Sequence, residues 1–231
     1  MTQLFPAPWS LRGRGHIFLY RFSQAFIDQP GLMPAALRSS FEGGLGALML
    51  VSYTHSDCGP YQELLLIPGN FRMQGKLRRS ITQIVVSTEA SVVNGRKNWG
   101  IPKQEASFVV DRAADGSESW IVRGDGRAIF QGRVQTRGWV PALPVHSALI
   151  PNTIAQSWQN ELFVTKVSAR GWGKPCQLTV EPVSARAPEG ALRQPGESGL
   201  DFSTERPLIG MSIDPFSMTF HTPTVCPLEP A

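Results

Sequence analysis

Residues 45–69, LGALMLVSYTHSDCGPYQELLLIPG, decide how the rest of the chain is read. Leu45–Tyr53 is almost wholly apolar and of strand length, the pattern of a strand covered on both faces. Gly59-Pro60 breaks the chain, a second apolar run follows at Leu64–Ile67, and Pro68-Gly69 stops it. Two short apolar runs separated by a turn read as two successive strands.

Outward from these two strands the same spacing recurs. Strands are expected at Ile17–Phe22 and Ile81–Val86, at Phe108–Asp111 and Trp120–Arg123 around the Asp115-Gly116 turn, and at Ala128–Gln135 after Asp125-Gly126. Later ones fall at Leu162–Val167, Gln177–Val183 and Met211–Phe220. Helical signals are few. Pro34–Arg38 offers a turn or two, and Thr88–Val93 reads as an N-cap and a short helix that Asn94-Gly95 would end. The 22 glycines and 19 prolines are spread along the chain, as tight turns between strands require. About nine strands and two short helices give an antiparallel barrel or sandwich in one domain spanning residues 1–231. A polar, Pro/Gly-rich stretch at 187–205 reads as a surface loop and 222–231 as a loose tail.

Composition excludes several classes. Charged residues are 17% and hydrophobic ones 42%, the reverse of a disordered chain. No apolar run reaches the ~18 residues of a membrane span, and the N-terminal segment lacks the apolar centre of a secretory signal. A net charge of +4 falls short of a nucleic-acid footprint. One Arg12-Gly13-Arg14-Gly15 repeat reads as a flexible turn. Cys58, Cys176 and Cys226 are odd in number and form no CxxC pair, which argues for a reducing, cytoplasmic setting and against a disulfide framework or zinc site. His55-Ser56-Asp57-Cys58 offers metal-ligand residue types, too few and too close together. Gly43-Gly44-Leu45-Gly46 lacks the Lys-Ser/Thr of a phosphate loop.

Only five lysines are present, at positions 76, 97, 103, 166 and 174. One of them stands in an unusual segment, Asn94–Gln104 (NGRKNWGIPKQ): Pro102 stiffens the backbone before Lys103, with Trp99 and Ile101 close by as apolar neighbours. Upstream, Gly59–Leu64 places Glu63 at a turn-to-strand junction.

Together these segments resemble the acetoacetate decarboxylase family. The matching signature is Gly95-Arg96, five intervening residues and Pro102-Lys103; ahead of it Tyr61-x-Glu63 leads into Leu64–Ile67-Pro68 with Phe71 beyond, and Tyr20-Arg21 closes the first strand. The resemblance is good over residues 10–135 and looser elsewhere. It implies a closed, barrel-like antiparallel sheet around an internal cavity and a homo-oligomer. It also implies a lyase without metal or organic cofactor, with Lys103 forming a Schiff base to a small keto acid and Glu63 moving protons. An arginine, Arg14 or Arg12, would hold the substrate carboxylate, with Arg96, Tyr61 and Trp99 lining the site. Gln104 stands where the family's enzymes often carry a second lysine, and Gly46–Val51 is uncharged where they carry a second carboxylate.

Condensation with a ketone needs a neutral amine, whereas an ordinary lysine titrates near ~10.4. The family is the standing example of a lysine activated by an apolar pocket or a neighbouring cation; here Gln104 is no cation, and Arg96 or Arg14 is the candidate. The resulting imine serves as the electron sink for decarboxylation of a β-keto acid, or for aldol or dehydration chemistry. The reading from a different class is a catalytically silent cavity protein that binds a small apolar or carbonyl ligand.

Overall fold

The computed structural model describes residues 2–138, 140–147, 152–182, 201–202 and 204–228. In chain order the elements are β1 (Trp9–Tyr20), α1 (Gln24–Ile27), α2 (Ala35–Arg38), β2 (Phe41–Gly43), β3 (Gly46–His55), β4 (Tyr61–Ile67), β5 (Asn70–Met73), β6 (Lys76–Arg79), β7 (Gln83–Val86), α3 (Glu89–Trp99), β8 (Gln104–Glu105), β9 (Ser107–Arg112), β10 (Glu118–Gly124), β11 (Arg127–Thr136), β12 (Leu143–His146), β13 (Thr153–Trp158), β14 (Glu161–Val180), β15 (Ile209–Phe220) and β16 (Thr224–Pro227).

The strands form one mostly antiparallel sheet whose main path runs β2-β5-β6-β13-β14-β15-β1-β3-β4-β7-β8. The expected closed barrel is not formed: β2 and β8 end the path unpaired with one another, and β9–β11 fold back from β14 as a separate ribbon. None of the described helices is long and apolar enough to cross a membrane.

The hairpin that opened the sequence reading occupies the centre. Tyr53 stands opposite Tyr61, Val51 opposite Glu63, and Leu50 opposite Leu64. Side chains alternate across a strand, so β3 and β4 feed two cores. On one face Leu48, Leu50, Leu64 and Leu66 meet Trp120, Val122, Phe130 and Val134 of the β10–β11 ribbon. On the other, Val51, Tyr53, Tyr61 and Leu65 meet Trp99 and Val92 of α3, Ile101, and Trp9. Coverage of both faces explains why the run carries almost no polar residues.

Several sequence expectations are corrected. β1 begins at Trp9, because Arg12–Gly15 is strand, paired with β3 on one side and β15 on the other. Glycines there accommodate the register shifts around Gly13. β14 is one strand of 20 residues where two were expected; its Gly/Pro-rich middle is held by β12 and β15. Part of the tail is ordered as β16 against Glu161–Val164. The expected loop at 187–205 falls mostly outside the described residues. At its end Phe202 is buried and Glu205 accepts a 2.6 Å bond from Ser23. α3 continues through Asn94-Gly95 to Trp99. Asn94 does not end the helix, because its buried amide bonds to Ala90 O, Gln3 O and Phe5 N.

On the β10 side of the sheet lies a buried charge cluster. Glu118 Oε1 accepts from Arg14 Nε at 2.9 Å and Oε2 faces His16 Nε2 at 3.1 Å. Burial alone would raise the Glu118 carboxyl, but the hydrogen bond and charge of His16, followed by those of Arg14, hold it down at about 2. Its depressed value makes its stabilisation complete above the ordinary carboxyl range near 4.5 and lost as pH falls toward 2. Glu118→Gln is therefore expected to cost about 2 kcal/mol at neutral pH. Urea denaturation should show that difference shrinking toward zero as the pH is lowered through this range, and a difference independent of pH would contradict it.

Candidate functional site

The geometry around Lys103 follows from how α3 begins and ends. Thr88 caps the helix, accepting from Ser91 N at 3.4 Å, and Glu89 complements the positive end of the dipole in the first turn. Gly100, at φ 62°, closes it in a left-handed conformation, bonding back to Arg96 O. Trp99 anchors this end: its Nε1 donates to His221 O at 2.8 Å, and its ring meets Trp9 and Phe220 edge-on. Lys103 N then bonds Ile101 O at 2.8 Å, and Arg96 Nε donates to Lys103 O at 2.9 Å. This tight reversal turns the Lys103 side chain back along α3.

The aliphatic stem of Lys103 crosses Gly95. A Cβ at that position would lie 2.6 Å from Lys103 Cδ and 2.9 Å from Cε. Glycine inside a helix costs about 1 kcal/mol relative to alanine; here the missing side chain makes room for the lysine.

The Lys103 nitrogen ends among four side chains from three elements. It donates to Glu63 Oε2 at 2.8 Å, to Ser91 Oγ at 3.0 Å and, more weakly, to Tyr61 Oη at 3.4 Å. It also sits 4.9 Å from the Tyr61 ring centroid. The other oxygen of Glu63 accepts from Tyr53 Oη at 3.1 Å. Lys103 and Glu63 are each only 4% exposed. All three protons of an ammonium thus have acceptors.

Burial raises both phenols well above 10, with the negative charge of Glu63 adding to it, so Tyr53 and Tyr61 stay protonated donors through the working pH range. Cys58, half-buried in the β3–β4 turn, has its thiol raised above its usual 9, chiefly by burial, and is a neutral thiol near pH 7. Among the described residues no group of three or more His, Cys, Asp or Glu side chains is placed to hold a metal.

Of the residues singled out in the sequence, the fold brings together Lys103, Glu63 and Tyr61, with Trp99 packed in the same core. Arg96 reaches this region but spends its Nε on the Lys103 carbonyl, its guanidinium lying over the Trp158 ring. Arg14 is placed elsewhere. It pairs in register with Ser52, on the side of the sheet opposite Tyr53 and Glu63, and is held by Glu118. Arg12 is exposed. A crevice of about 380 Å³ lies near the β7–β8 end, lined by Ser87, Glu105, Ser107 and Arg123 among others, and Lys103 is not in its wall.

Two members of the group escaped sequence reasoning, Tyr53 and Ser91. Tyr53 could have been found from the hairpin itself, since pairing across the Gly59-Pro60 turn sets it beside Tyr61. Ser91 carried no signal beyond its place in the first turn of a helix.

The chain matches the family described as acetoacetate decarboxylase over residues 2–221. It belongs to that family. No curated protein matches the sequence. Solved structures share the fold at low identity. An acetoacetate decarboxylase-like enzyme from Sphingomonas wittichii RW1 superposes with a TM-score of 0.65 at 17% identity, over 97% of this chain and 95% of its own. The acetoacetate decarboxylase of Legionella pneumophila gives 0.62 at 14%, over 98% and 90%. The enduracididine biosynthesis enzyme MppR, with HEPES buffer bound, gives 0.62 at 16%, over 96% and 89%.

Proposed function

We propose that this protein is a Schiff-base-forming lyase that decarboxylates a small β-keto acid through an imine on Lys103. The observation that carries this reading is a buried lysine nitrogen 2.8 Å from a buried glutamate, with hydroxyl groups completing its surroundings. Glu63 takes the proton that the amine must lose before attack, and the Lys103 lone pair forms a bond to the substrate carbonyl carbon. Loss of water leaves a protonated imine, which accepts the electron pair released as the bond to the departing carboxylate breaks. Glu63, ionised again once water has left, then relays a proton from solvent to the resulting enamine carbon. Family membership supports this reading.

A second reading, Schiff-base aldol or dehydration chemistry, is favoured by one feature of the site. The β3 residue facing Glu63 is Val51, so a second carboxylate is missing from that strand position. MppR, which shares the fold with a TM-score of 0.55 in this form, has been seen with the condensation product of pyruvate and imidazole 4-carboxaldehyde.

The test is reductive trapping of the full chain with borohydride and a panel of acetoacetate, pyruvate and longer keto acids. A mass increase mapped to Lys103 is expected. Carbon dioxide release from a β-keto acid then selects decarboxylation, and consumption of an added aldehyde selects condensation. No adduct with any compound, or an adduct confined to Lys76, Lys97, Lys166 or Lys174, overturns both and leaves a ligand-binding protein.

A further inference from the structure

We propose that Ser91 is a catalytic residue of this site, the hydroxyl that carries a proton from the Lys103 nitrogen to the substrate oxygen during carbinolamine formation; the inference rests on the Schiff-base reading above.

Ser91 is fully buried on the inner face of α3, one helical turn before Gly95. Its Oγ lies 3.0 Å from Lys103 Nζ, closer than the Tyr61 phenol. A buried hydroxyl in the first turn of a helix has ordinary uses, such as capping, but here Thr88 already serves as the cap. Ser91 Oγ faces the amine instead. A serine hydroxyl both accepts and donates, whereas an ionised carboxylate only accepts. That difference assigns the roles of the two nearest partners of the nitrogen.

Proton and electron bookkeeping shows where a relay is needed. The ammonium first gives one proton to Glu63, leaving a neutral amine and a neutral carboxyl. The nitrogen lone pair then forms the N–C bond while the carbonyl π pair moves onto oxygen, giving a zwitterion with two protons on nitrogen. One of these must reach the alkoxide before water can leave. With Glu63 already protonated, Ser91 at 3.0 Å is the nearer of the two hydroxyl groups left at the nitrogen, Tyr61 lying at 3.4 Å, and it takes that proton and passes its own to the oxygen. The neutral carbinolamine receives the Glu63 proton on its hydroxyl and expels water. The product is an imine with one N–H and an ionised Glu63, free for the next step. Ser91 remains as acceptor for the single N–H.

The experiment follows adduct formation at Lys103 over time, using 2,4-pentanedione, whose enaminone with a lysine absorbs in the near ultraviolet. Wild type, Ser91→Ala and Ser91→Cys are compared at fixed pH. A proton-transfer role predicts a rate about a hundredfold lower in Ser91→Ala, an unchanged final yield, and partial recovery in Ser91→Cys, which restores a protic group of similar size. If Ser91 only holds the ammonium, its loss frees the amine and the alanine variant reacts at least as fast as wild type. A rate within threefold of wild type, or above it, overturns the proposal while leaving the Schiff-base reading intact. Absence of an enaminone in wild type overturns the Schiff-base reading itself. Should Ser91→Ala fail to fold, Ser91→Gly, which likewise lacks a protic side chain, is judged on the same criterion.

Discussion

Replacing Lys103 with methionine is expected to abolish borohydride trapping and to destabilise the protein by about 3–5 kcal/mol at neutral pH. The first outcome follows from removing the only amine in the buried group. The second comes from Glu63, which is 4% exposed and would keep only its Tyr53 partner. Methionine fills the lysine's volume well, so the loss is electrostatic and no large cavity is involved. The double variant Lys103→Met, Glu63→Gln should therefore recover most of the lost stability, since a glutamine oxygen still accepts from Tyr53 and carries no charge. Urea midpoints for wild type, the single and the double variant measure this directly. A single variant as stable as wild type would show that the pair is not coupled, and persistent trapping would remove Lys103 from the mechanism.

Gly95→Ala separates local preference from site geometry. On helix propensity alone the change stabilises by about 1 kcal/mol. The new methyl group, however, would sit 2.6 Å from Lys103 Cδ, and the stem cannot move aside without disturbing the three hydrogen bonds at its end. A displacement of the nucleophile by about 1 Å is expected to slow adduct formation about a hundredfold. The melting temperature should change little, because the propensity gain offsets the crowding. A variant that reacts at the wild-type rate would mean that the lysine stem is not held against α3.

The candidate group was partly legible in the sequence. Pro102-Lys103 follows a helix and leads into β8, and Tyr61-x-Glu63 opens β4, although that strand was expected to begin only at Leu64. The misread glycine shows the limit. Asn94-Gly95 has the chemistry of a helix stop, and only the lysine eight residues later explains why glycine stands inside a helix that continues to Trp99. Arg14 shows the same limit from the other side. In the sequence it is one more arginine ahead of an apolar strand. In the fold its register against Ser52 turns it toward Glu118, 104 residues distant, and away from Lys103.

The sequence by itself determined the sheet-rich architecture and the two apolar strands of its opening stretch, because strand alternation and turn chemistry act over a few residues; Lys103 and Glu63 became candidates through the resemblance of two short motifs to a known family. Tertiary structure alone decided that the sheet stays open, that Arg12–Gly15 is strand, that Arg14 and Lys103 lie on opposite faces, and that Ser91 joins the amine. Those outcomes depend on register and on contacts between segments far apart in the chain. A shift of one residue in a strand exchanges its faces, and no pattern within a single segment specifies which strand will lie beside it.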